Sequence, residues 1–240
     1  MKIQRLNYGI LLSLFAMQIV IWCFANRIKP KYVITPYPPT KTEIEALSFG
    51  DKQLLYRKLA FQLQTAGDKL GHYANLKEYD YNRLRTWFEA LDGLDSHSQY
   101  MPFMAAYYYS AVQDSQKSKI IAEYIASYAK KDVSQHWRLL TTALYIYNQS
   151  TKDSNAEIKS IGEILIKQPE IPTWARALAA FYLKDNGDIC NAYNLITQIS
   201  KQGIMDEREN TEDKFLINIL VHNIKRLENF RPHELKACVK

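Results

Sequence analysis

LAFQLQTAGD, Leu59–Asp68, returns far along the chain as AAFYLKDNGD, Ala179–Asp188. The two segments agree at a small residue (Ala60, Ala180), at Phe61 and Phe181, at Leu63 and Leu183, and at a terminal Gly-Asp. A small residue, a bulky one three later and a closing glycine describe a helix that approaches a neighbour closely and then stops. Between them, FMAAYYYSAVQD and WRLLTTALYIYN supply Ala106 and Ala143, so that positions 106, 143 and 180 stand 37 residues apart. Equal steps of that size predict a repeated helix pair.

Working outward, apolar residues recur at helical spacing through most of the chain, which has only 8 glycines in 240 residues, and no strictly alternating strand pattern interrupts them. The spacing predicts helices near 51–66, 76–92, 99–112, 115–130, 135–148, 155–167, 173–185, 189–202 and 208–228. Ser154 to Glu157 has the form of a capping box, Pro172 suits a first helical turn, and Gly67, Gly93, Gly187 and Gly203 suit helix ends. The pattern resembles the tetratricopeptide-repeat family, whose unit of about 34 residues pairs two helices around a small residue, a bulky one, a turn glycine and a second-helix alanine. Ala180, Leu183, Gly187 and Ala192 occupy those places, and Ala60, Leu63 and Gly67 the first three. The 37-residue step is longer than the family's, Ala106 and Ala143 lack the turn glycine, and 71–95 fits no unit.

The N-terminus is different in kind. GILLSLFAMQIVIWCFA, Gly9–Ala25, carries no charge and follows Lys2 and Arg5. Its length is about the minimum for a hydrocarbon core of roughly 30 Å, which predicts a retained single-pass anchor; the alternative is a signal peptide cut before Asn26. The expected class is therefore all-α: an N-terminal transmembrane helix followed by an α-α superhelix of antiparallel helix pairs. The expected organisation is a tail and anchor over 1–25, a proline-containing extended linker over 26–49 and a helical-repeat domain over 50–240. Prolines 30, 36, 38 and 39 would make that linker a stiff stalk. A short tail before the anchor favours a body on the non-cytoplasmic side.

The net charge of +6 is mostly local, because Lys2, Arg5, Arg27, Lys29 and Lys31 flank the apolar run and no acid occurs among the first 31 residues. The remainder is nearly neutral, which argues against nucleic acid as a partner. Of three cysteines, Cys23 lies in the run; Cys190, among Ile189, Ala192 and Leu195, reads as a buried thiol, with pairing to Cys238 the alternative. The five histidines are dispersed, with no zinc-ligand spacing, and no nucleotide, hydrolase or metalloprotease motif occurs. No metal or cofactor is expected. Glu78, Asp80, Glu89, Asp92 and Asp95 form the one acidic set to weigh as an acid-base site, which needs a carboxyl buried enough for a raised pKa. Helix caps and solvated faces account for these residues equally simply.

The functional expectation is a membrane-tethered scaffold or adaptor that binds another protein, within an envelope complex; the alternative is a helical cell-wall hydrolase with an unrecognised acidic site. The family resemblance implies a peptide groove on the first helix of each pair, about one turn past its small residue. Here that implies Gln64, Ser110, Tyr147, Asn148, Lys184 and Asp185.

Overall fold

The computed structural model describes residues 2–25, 27, 33–69, 71–150 and 154–203, with isolated positions beyond. The expected helix over 208–228 and Cys238 fall essentially outside them. Two compact units result, Met1–Val33 and Ile34–Lys240.

The first unit holds α1, Lys2–Ala25. Its apolar side chains from Ile10 to Phe24 are largely exposed. The expected transmembrane anchor is corrected here: among the described residues no helix is long and apolar enough to cross a membrane. The single-pass localisation, and with it a body on the non-cytoplasmic side of a bilayer, is corrected by the same finding.

In the second unit the regular structure of the described residues is helical apart from a two-residue ladder. Helix α2 spans Lys41–Ser48, α3 Lys52–Gln64, α4 Tyr81–Leu94, α5 Tyr100–Tyr107, α6 Ser115–Ala129, α7 Val133–Ser150, α8 Asn155–Ile166, α9 Thr173–Asp185 and α10 Ile189–Gly203. Asp68–Lys69 (β1) pairs antiparallel with His72–Tyr73 (β2). The segment expected to be one helix over 76–92 is a 3-10 turn, Leu76–Glu78, and then α4. Several starts have a local cause. Thr40 and Glu43 close a capping box on α2, Asn75 and Glu78 one on the 3-10 turn, and Asp51, Asp80 and Asp114 accept amide protons at the starts of α3, α4 and α6. Ser154 stands at the N-cap of α8, although its side chain makes no capping bond. Gly187 ends α9 at φ 85°, the left-handed region that glycine enters cheaply.

Consecutive helices pack on one another, α6 with α7, α8 with α9 and α9 with α10, across turns of a few residues. Alanines let them approach: Ala106 is 3% exposed, Ala143 and Ala180 not at all. A close seam joins α8 to α9, where a Cβ added to Gly162 would lie 2.6 Å from that of Ala179. The tyrosines divide. Tyr109 is fully buried, donates to the Leu63 carbonyl at 3.3 Å and receives the Tyr81 hydroxyl at its own carbonyl at 3.0 Å, while Tyr107 and Tyr108 face outward.

Much of the expected 26–49 linker belongs to the body. Besides α2, the segment from Ile34 to Thr40 lies along α4: Thr35 is 3% exposed and its hydroxyl accepts the Asp80 amide at 3.1 Å. The Trp87 indole donates to the Pro36 carbonyl at 2.9 Å, and Arg83 donates to the Thr35 carbonyl at 3.1 Å while stacking 4.1 Å from the Tyr37 ring centroid. Residues 34–40 are thus a strap, not a projecting stalk. Cys190 also differs from expectation, being exposed at the start of α10 and disulfide-bonded, whereas Cys23 is a free thiol.

Two glycines test the packing. Gly162→Ala should destabilise by about 1–3 kcal/mol through overpacking against Ala179. Gly93→Ala, in the last turn of α4 with open space around its Cβ, should stabilise by roughly 0.5–1 kcal/mol. Chemical denaturation of both variants reads the opposite signs. Deleting the chain up to residue 42 should cost about 2–4 kcal/mol relative to deleting it up to residue 33, because three strap hydrogen bonds at about 1 kcal/mol each and the burial of Thr35 are lost.

Candidate functional site

A cleft of about 850 Å³ opens between α5 with the 3-10 turn after it, the first turn of α6, and the outward faces of α7 and α9. Helical period explains its floor. On α7, Leu140, Ala143, Leu144 and Tyr147 turn into the core, which leaves Thr141, Tyr145 and Gln149, one turn apart, along the cleft. On α9, Ala175 and Ala179 face α8 and its neighbours while Trp174 and Leu178 reach the cleft. Three rings stand out of the wall: Tyr107 at 64% exposure, Tyr145 at 55% and Trp174 at 46%. Trp174 is held edge-on to Trp137 at a ring separation of 5.6 Å, and the Arg138 guanidinium covers Trp137 at 4.4 Å.

The polar lining has a consistent sense. Thr141 and Thr142 donate to the Arg138 carbonyl, Ser110 to Ala106, Ser118 to Val112 and Ser150 to Ile146. Their protons are engaged within the fold, so what they offer a ligand is lone pairs. Asp114, among the described residues the only ionisable acid or base of the wall apart from the tyrosines, caps α6 through the Gln116 and Lys117 amides at 3.1 and 3.2 Å.

Of the residues expected to line a groove, Ser110 lies in this cleft. Tyr147 is 3% exposed, and burial pushes its hydroxyl pKa up. Asn148 is half-buried, with its Oδ1 lacking a hydrogen-bond partner. Gln64 accepts the Tyr100 hydroxyl at 2.5 Å at the end of α3, and Lys184 and Asp185 are exposed in the last turn of α9. The structure therefore does not gather these six. The rings it does gather carry a readable signal, since Thr141, Tyr145 and Gln149 follow the one face of α7 without aliphatic residues.

The acidic set also separates. Glu89 is exposed and paired with Arg85 at 3.0 Å, which reaches Glu123 at 3.1 Å. Asp95 accepts the His97 amide, and Asp80 caps α4. Asp92 alone is buried, at 8% exposure, in a small pocket of about 210 Å³ with Tyr124, Tyr128 and Lys131. Both its carboxylate oxygens accept from the Tyr124 hydroxyl, at 3.1 and 3.2 Å. Burial raises its pKa from 3.8 to about 6, and the Tyr124 bond and the Lys131 charge only partly offset that. The arrangement is one buried carboxyl tying α4 to α6, with the exposed Glu89 lining the same pocket and its charge raising the Asp92 pKa further. Among the described residues no group of three or more His, Cys, Asp or Glu could hold a metal ion. No family model, curated protein or solved structure matches the chain.

Asp92 gives a pH dependence with a definite sign. The folded state keeps the proton up to about pH 6 and the unfolded chain only to about 3.8. The Asp92 contribution is thus most favourable below pH 4 and falls as pH rises through 6, by roughly 2–3 kcal/mol in all. Asp92→Asn should abolish that fall. Denaturation of both proteins from pH 4 to 7.5 should show the variant gaining on the wild type as pH increases.

Proposed function

We propose that this chain is a helical scaffold, built from tetratricopeptide-like helix pairs, that binds an extended segment of a partner protein in the cleft between α5, α7 and α9. The observation that carries the reading is the set of three exposed rings, Tyr107, Tyr145 and Trp174, around a cleft of about 850 Å³. Leaving large aromatic surface in water is unfavourable for the isolated fold, and such rings are the usual anchors of protein recognition. The lone pairs of the hydroxyls beside them suit the amide protons of an extended backbone. Preorganisation favours the same reading, because Trp174 is fixed by Trp137 and Arg138 and so loses little side-chain entropy on binding.

The test is site-directed cross-linking in the native cell. A photoreactive amino acid in place of Tyr145 should label a discrete protein partner, and one in place of Lys159 on α8 should not. Labelling of equal extent from both positions, or none from position 145, would count against the cleft as the binding surface.

A further inference from the structure

Resting on the reading of the cleft as a peptide site, we propose that its ligand is a proline-containing extended segment whose charged side chains are basic and not acidic. Two independent observations point there. The first is charge. Among the described residues no lysine or arginine lines the cleft, which leaves an acidic peptide or a terminal carboxylate without a counter-ion there, whereas Asp114 offers the carboxylate oxygen that α6 capping leaves open. The serine and threonine lining adds acceptors, with their own protons engaged on helix carbonyls. Ammonium and guanidinium groups are the donors that satisfy such a wall.

The second observation is the strap. Along α4 the chain already holds a proline segment of its own, Pro36-Tyr37-Pro38-Pro39, and does so with a tryptophan N–H on the Pro36 carbonyl and a guanidinium over Tyr37. Proline segments favour the polyproline geometry before binding, present carbonyls with few competing amide protons, and dock on aromatic-lined grooves at low entropic cost. The cleft offers the aromatic part of that recognition in exposed form, without the guanidinium. Trp174 supplies an indole N–H, Tyr107 and Tyr145 supply flat rings and hydroxyls, and Trp174 is braced from behind by Trp137. The proline rings would seat between the aromatic faces, and the basic residues would lie towards Asp114.

The experiment uses the full chain and fluorescence anisotropy of short labelled peptides. One contains alternating prolines with arginine, the second replaces the arginines by glutamate, the third replaces the prolines by alanine, and a chito-oligosaccharide serves as an unlabelled competitor. The first peptide should bind at least roughly tenfold more tightly than the second and third, the discrimination expected of a charge and an anchor contact. Trp174→Ala and Gln149→Lys should each weaken it by roughly tenfold or more with unchanged thermal midpoints. If the glutamate or alanine peptide binds as tightly and is equally sensitive to Trp174→Ala, this inference is wrong and the peptide cleft stands. If no peptide binds, or if only the oligosaccharide occupies the cleft, both readings are overturned.

Discussion

The close approach of α8 and α9 at Gly162 and Ala179 is the contact on which the arrangement of the cleft depends. Helices pack 8–10 Å apart according to the side chains between them, and small residues set the lower end of that range. With Ala175, Ala177, Ala179 and Ala180 fully buried in one helix, the bulky residues of α9 are displaced to its other faces. Trp174 and Leu178 reach the cleft for that reason. The same logic on α7 buries Ala143 and Leu144 and leaves Tyr145 outside.

The buried tyrosines play a complementary part between α4, α6 and the 3-10 turn after α5. Phe88 lies 5.6 Å from Tyr109 and 4.8 Å from Tyr124, so one aromatic seam spans three elements. Each phenol in such a seam must find an acceptor. Tyr81 and Tyr109 use backbone carbonyls, and Tyr124 uses Asp92. The ionised carboxyl is the costly member of this arrangement, and its raised pKa expresses that cost.

The helices with strong local signals were legible in the chain. α3, α6, α8, α9 and α10 lie within a residue or two of where periodicity and caps put them, and Gly187 takes the left-handed turn expected of it. Features that depend on contacts distant in sequence were not. Thr35 and Pro36 meet Asp80 and Trp87 some 45 to 51 residues later, and nothing in a run of prolines reveals which surface it will lie on. Helix α2 had a local signal, the Thr40 and Glu43 capping box, overshadowed by the prolines before it. The membrane expectation rested on apolar composition and is overturned because, among the described residues, no helix is long and apolar enough to cross a membrane. Carrying a groove over from a family pattern put the ring two positions off, at Tyr147, since its neighbours Leu144 and Ala143 turn that side of α7 inward. The exposed ring is Tyr145.

The central claim is that close helix packing presets the cleft, so that α7 and α9 hold their rings in place before any ligand arrives. Native-state hydrogen exchange of the full chain tests it most directly. If the account is right, buried amides of α6, α7, α8 and α9 exchange only through one cooperative opening, with a common free energy and a common denaturant dependence. Exchange of α8 and α9 through a separate opening of much lower free energy, with α6 and α7 still protected, would contradict it, because Trp174 would then have no fixed position relative to Tyr145.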